Sequence, residues 1–141
     1  MKVNLERSRE LAKEVVVRKH DCFQNALRAL DRCRDAVFVV GVVGDHRYKK
    51  EAVHTWLEFE GEILDPTWTT HWAETQPSDV IYQPIRRTPG SEALAQYWHM
   101  VSEKMCGVAD WDEIISQAEI DEANSAILSH YKKRNDPNDL T

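Results

Sequence analysis

Long apolar runs are missing from this 141-residue chain. No window approaches the roughly 20 consecutive apolar residues that a membrane span needs. The opening MKVNLERSRELAKEVVVRK has neither an uninterrupted apolar core nor a small-residue cleavage site. A cytosolic protein without membrane contact is the expectation. Basic stripes with interleaved aromatics are missing too: 18 Lys and Arg stand against 24 Asp and Glu, a formal charge of −6 that repels phosphate backbones. Nucleic acid is therefore not expected as a partner. Cysteine is sparse, at positions 22, 33 and 106, and an odd number leaves at least one free thiol. On one helix Cys22 and Cys33 stand about 16 Å apart along the axis, beyond disulfide reach. The His and Cys residues show no short paired spacings of a zinc site, so neither a metal nor any other cofactor is expected. Internal repeats, low-complexity blocks and clear linkers are absent as well.

What is present suits a packed domain: 42% hydrophobic residues with five Trp, four Tyr and three Phe. A single domain over 1–134 is expected, with a core at about 20–85, a helical part at 91–133 and a frayed tail at 135–141. Residues 4–19 carry Leu5, Ala12, Val15 and Val16 in a loose helical pattern. CFQNALRALDRC continues with Phe23, Ala26, Leu27 and Leu30 at helical spacing behind Asp21 as N-cap, which makes Cys22 the first helical residue. AVFVVGVVG (36–44) reads as a buried strand. From Ala52 to Phe59 apolar and polar residues alternate, Glu60-Gly61 is a two-residue turn, and Glu62 to Asp65 returns as a short strand closed by Pro66. Residues 68–91, with four prolines or glycines and several Trp, His and Gln, read as an irregular candidate binding loop with a short strand at Val80 to Tyr82. Ser91 then caps a helix with Leu94, Tyr97, Trp98, Val101 and Met105 as its apolar stripe, ended by Gly107. Asp110 to Glu113 has capping-box spacing, and a last helix runs from about Ile120 to Lys133.

The hairpin HTWLEFEGEILDPTW carries the chemistry. With Glu60-Gly61 as the turn, Phe59 faces Glu62, Trp56 faces Asp65, and His54 faces Thr67. His54 and Asp65 become diagonal neighbours on one face, with Cβ atoms roughly 7 Å apart, within reach of a carboxylate–imidazole hydrogen bond. A one-residue slip would place them on opposite faces. A histidine held on one ring nitrogen offers the other to a thiol, and Cys22 at a helix start adds the pull of the helix dipole on a negative sulfur. Cys22 is thus the candidate nucleophile, His54 the base and Asp65 its orienter. Gln24, Asn25 and the helix N–H groups are candidates for oxyanion support. Trp56, with Trp68 and Trp72, could shield the site or grip an acyl chain. His20, adjacent to Asp21, is a rival base poorly placed in sequence to reach the sulfur.

These residues resemble the transglutaminase-like branch of the papain-like cysteine enzymes, in particular small bacterial and phage-type members. The likeness rests on DCFQNALRAL, VHTWLEFEG and EILDPTW, with Cys22, His54 and Asp65 in that order, and covers about residues 20–68. It implies an α+β fold, a Cys-bearing helix packed on a small antiparallel sheet that carries the His and Asp, and chemistry through a thioester. Papain-like peptidases often place a Gln a few residues before the Cys; VVVRKHDC has no Gln or Asn there.

The expected function is a cysteine hydrolase acting on an amide or related acyl bond of a protein, peptide or small amide. Acyl transfer or deamidation on the same triad, and a non-catalytic interaction module that keeps the fold, stand as alternatives. Each residue also has a plain structural use: Cys22 as a core thiol, His54 as a core histidine, Asp65 in Asp-Pro turn chemistry.

Overall fold

The computed structural model describes residues 1–18, 21–47, 49–67, 76–102 and 114–135. In chain order the elements are β1 (Lys2–Val3), α1 (Leu5–Val15), α2 (Cys22–Arg32), β2 (Val37–Asp45), β3 (Lys50–Phe59), β4 (Glu62–Leu64), a 3₁₀ turn at Pro77–Asp79, β5 (Val80–Pro89), α3 (Gly90–Ser102) and α4 (Gln117–Asn135). The fold class is α+β. The strands form one five-stranded sheet in the order β1-β4-β3-β2-β5. Antiparallel pairing was expected throughout, but the sheet is mixed, because β1 pairs with β4 in parallel. Two residues are too short a run to announce a strand by alternation.

The Val-rich run makes β2, which lies between β3 and β5. Both faces of it are covered, which is why it lacks the alternation of a half-exposed strand. On one face Phe38, Val40 and Leu57 meet Phe23, Leu27 and Leu30 of α2 and Tyr97 of α3. The rings of Phe23, Phe38 and Tyr97 pack mutually, with centroids 5.4 to 5.7 Å apart. Farther along the same strand, Val42 meets Ala123, Ile127 and Tyr131 of α4. A separate cluster joins Val39, Val43, Trp56 and Ile63.

The hairpin has the register read from its turn. Phe59 pairs with Glu62, Glu58 with Ile63 and Leu57 with Leu64. Glu60 and Gly61 both take positive φ, 51° and 78°, as a primed two-residue turn requires.

Several expectations are corrected. The 68–91 loop gives way, from Val80 onward, to a strand of ten residues, with Pro84 and Pro89 inside it. β5 is an edge strand, and its register against β2 shifts at Val40/Gly41, where Gly41 faces Pro84. Edges and bulges are where a strand tolerates a residue without an N–H. The buried face of α1 is Ser8 and Leu11, while Val16 leaves the helix in the left-handed region at φ 54° and is 74% exposed. Trp98, assigned to the buried stripe of α3, is 39% exposed, and Ala93 and Tyr97 carry that contact. Asp21 occupies the N-cap position of α2 without a capping side-chain bond. The last helix starts three residues early because Ser116 and Glu119 form the capping box: the Glu119 N–H donates to Ser116 Oγ, and the Ser116 N–H donates to Glu119 Oε1. The assigned box at 110–113, Met105, Gly107, Cys106, His20, His71, Trp68, Trp72 and the 136–141 tail lie outside the described residues. Among the described residues no helix is long and apolar enough to cross a membrane.

Candidate active site

Cys22 opens α2, and its side chain is partly exposed. Three side-chain bonds from Asn25 set this helix start. Asn25 Oδ1 accepts the Arg18 N–H at 3.1 Å, and Nδ2 donates to Arg18 O at 2.8 Å and to Thr67 Oγ1 at 3.2 Å. The chain entering the helix is thereby tied to the segment that follows Asp65. The first turn of a helix leaves backbone N–H groups without intrahelical acceptors, and here that turn begins at the thiol.

Alternation along β3 puts His54 and Trp56 on one face and Thr55 and Leu57 on the other. His54 is 4% exposed and Asp65 fully buried. His54 Nε2 lies 2.8 Å from Asp65 Oδ2. With Nε2 on the carboxylate, the other ring nitrogen is the one left for the Cys22 sulfur, which is near enough to act on the basicity of the imidazole. Burial works to lower the basicity of His54. The charge of Asp65 and the electrostatic pull of Cys22, with the hydrogen bonding of the imidazole toward both, outweigh it and raise the imidazole from 6.5 to about 10. The arrangement thus favours an imidazolium between two acidic groups.

Asp65 is held on every side. Its Oδ1 accepts the Thr67 N–H at 3.1 Å, closing an Asx turn across Pro66. Its own N–H donates to Ser8 Oγ at 2.9 Å, and Ser8 in turn donates to Asn4 O. Its Oδ2 accepts from Tyr82 Oη–H at 2.8 Å as well as from His54. Ser8, Thr67 and Tyr82 were not singled out from sequence. Their partners lie 57, 2 and 17 residues away, and of these only the Asp-Pro-Thr turn leaves a local signal.

The supporting residues divide. Both polar atoms of the Asn25 amide are engaged on Arg18 and Thr67, so Asn25 positions the helix start instead of offering a donor to an oxyanion. Gln24, two residues after Cys22, is buried. Trp56 has no exposed surface; it stacks on His54 at 6.1 Å and 21° and meets Tyr82 edge-on at 5.0 Å. It supports the imidazole from within the protein and lines no open subsite. Cys33, at the far end of α2, is a free thiol like Cys22, and burial raises it above its ordinary value. Among the described residues no group of three or more His, Cys, Asp and Glu could hold a metal ion.

No protein-family model matches this sequence, and neither the curated proteins nor the solved structures contain a significant match to it.

Proposed function

We propose that the protein is a cysteine hydrolase of the transglutaminase-like, papain-like kind, acting on an amide or related acyl bond through a thioester on Cys22. One observation carries this reading: a buried Asp65 carboxylate bonded at 2.8 Å to His54, whose imidazole is made more basic by Asp65 and by the partly exposed Cys22 at a helix N-terminus. A core histidine has no need of a buried carboxylate on one side and a thiol on the other. The Cys22 thiolate attacks the acyl carbon, forming the C–S bond while the carbonyl electrons move onto oxygen. The N–H groups of the first turn of α2 are placed to receive that oxyanion. Collapse breaks the C–N bond, and the amine leaves with the proton held by the His54 imidazolium. His54, now neutral, takes a proton from water as the water attacks the thioester, and the thiolate leaves. Asp65 keeps the ring oriented through both steps.

The test pairs alkylation by iodoacetamide with turnover of p-nitrophenyl acetate. Cys22 should be modified well ahead of Cys33, whose burial disfavours its thiolate. Cys22→Ala should abolish turnover while circular dichroism stays unchanged, and Cys33→Ala should keep most of it. Turnover that survives in Cys22→Ala would remove the assignment.

A further inference from the structure

We propose that Tyr82 is a positioning residue of this site, its phenol sharing the Asp65 oxygen that holds His54 and so limiting how tightly the imidazolium is bound. The inference rests on the hydrolase reading for its consequence in turnover, but its geometry stands alone. A phenylalanine would fill the same space beside Trp56, yet the phenol is present and its O–H is aimed at one atom. That atom is Asp65 Oδ2, which accepts from Tyr82 and from His54 at 2.8 Å each, while Oδ1 is occupied by the Thr67 N–H. Two donors on one oxygen divide its charge, so each is bound less tightly than it would be alone. Burial, first, and then the charge and hydrogen bond of Asp65 push Tyr82 well above the ordinary phenol range, so its O–H remains a donor at any working pH.

Among the described residues, the titratable groups that act on His54 include Cys22 on α2, Asp65 after β4, and Tyr82 on β5 acting through Asp65. Glu58, farther along β3, is paired with Arg87 at 2.8 Å. Deacylation requires neutral His54 as base, so a bond that tempers the imidazolium brings the working range of the enzyme down toward neutral pH.

The experiment follows the His54 ring by NMR in 15N-histidine-labelled protein over a pH series, in the wild type, Tyr82→Phe and Asp65→Asn. Turnover of p-nitrophenyl acetate is measured on the same samples. Tyr82→Phe should move the His54 midpoint upward, and Asp65→Asn should move it down. In Tyr82→Phe the kcat profile should follow the titration, with kcat at pH 8 lowered roughly threefold and KM unchanged. If Tyr82→Phe does not fold, site-specific 3-fluorotyrosine at position 82, a stronger donor, should move the midpoint down. A midpoint that stays put or moves the opposite way, in a series where Asp65→Asn responds, overturns the role given to Tyr82. Absence of Cys22-dependent turnover overturns the hydrolase reading instead and leaves the titration to decide the positioning.

Discussion

Asp65 divides its carboxylate between two tasks, with Oδ1 on the Thr67 N–H of its own turn and Oδ2 on His54 and Tyr82. Turn chemistry and the orienting of a histidine are therefore not alternatives at this position; each uses its own oxygen. The consequence for substitution is a graded one. On the proposed mechanism His54→Ala removes the group that carries the proton, and turnover of an acyl substrate should fall by roughly 10²- to 10⁴-fold. Asp65→Asn keeps the Asx turn, because an amide oxygen still accepts the Thr67 N–H, but it replaces an anion facing the imidazole by a neutral group. Its turnover should fall less than that of His54→Ala, and the limb of its kcat profile that reports His54 should shift to lower pH. Equal rates for Asp65→Asn and wild type, with unchanged pH dependence, would leave Asp65 the turn alone.

The hairpin was legible in the sequence because three constraints agree: a period of two along β3, a two-residue turn with Gly at its second position, and Pro66 after the return strand. That agreement is enough to place His54 beside Asp65 from the sequence. β5 was not legible beyond Tyr82, because the features that end strands elsewhere, Pro84 and Pro89, are tolerated on an edge. The contacts of Ser8 and Tyr82 with Asp65 were not legible either, since long-range pairing leaves no local pattern. Gly41 shows how closely β5 and β3 depend on β2. A Cβ there would stand 2.3 Å from the Gln83 carbonyl oxygen and 2.7 Å from the Trp56 ring, while Gly41 itself lies opposite His54. Gly41→Ala must therefore push β5 outward or displace Trp56 from beneath the imidazole. It should cost about 1–3 kcal/mol in urea denaturation. It should also lower turnover more than an equally destabilising change in α4, and equal losses in the two variants would mean that the strand contact does not set the site.

Five elements converge on one buried ion pair. β3 supplies His54, the segment after β4 supplies Asp65, β5 adds Tyr82, α1 adds Ser8, and α2 adds Cys22 and, through Asn25 and Thr67, the tie to the Asp65 segment. Titrating the pair is thus coupled to the stability of the fold. A buried ion pair is costly to form, and stripping one partner of its charge leaves the other uncompensated. The sign follows from the direction of the shift. His54 binds its proton more tightly folded, at about 10, than unfolded, at 6.5. The stability it contributes is fully present below about pH 6.5 and is lost as the pH rises through about 10. Other groups titrate in that range, so the reading comes from a difference. Urea midpoints of the wild type and Asp65→Asn should be farthest apart near pH 6 and converge above pH 10, because Asp65→Asn removes the charge that raises His54. Parallel midpoint curves for the two proteins across that window would show that His54 carries no extra proton in the folded state.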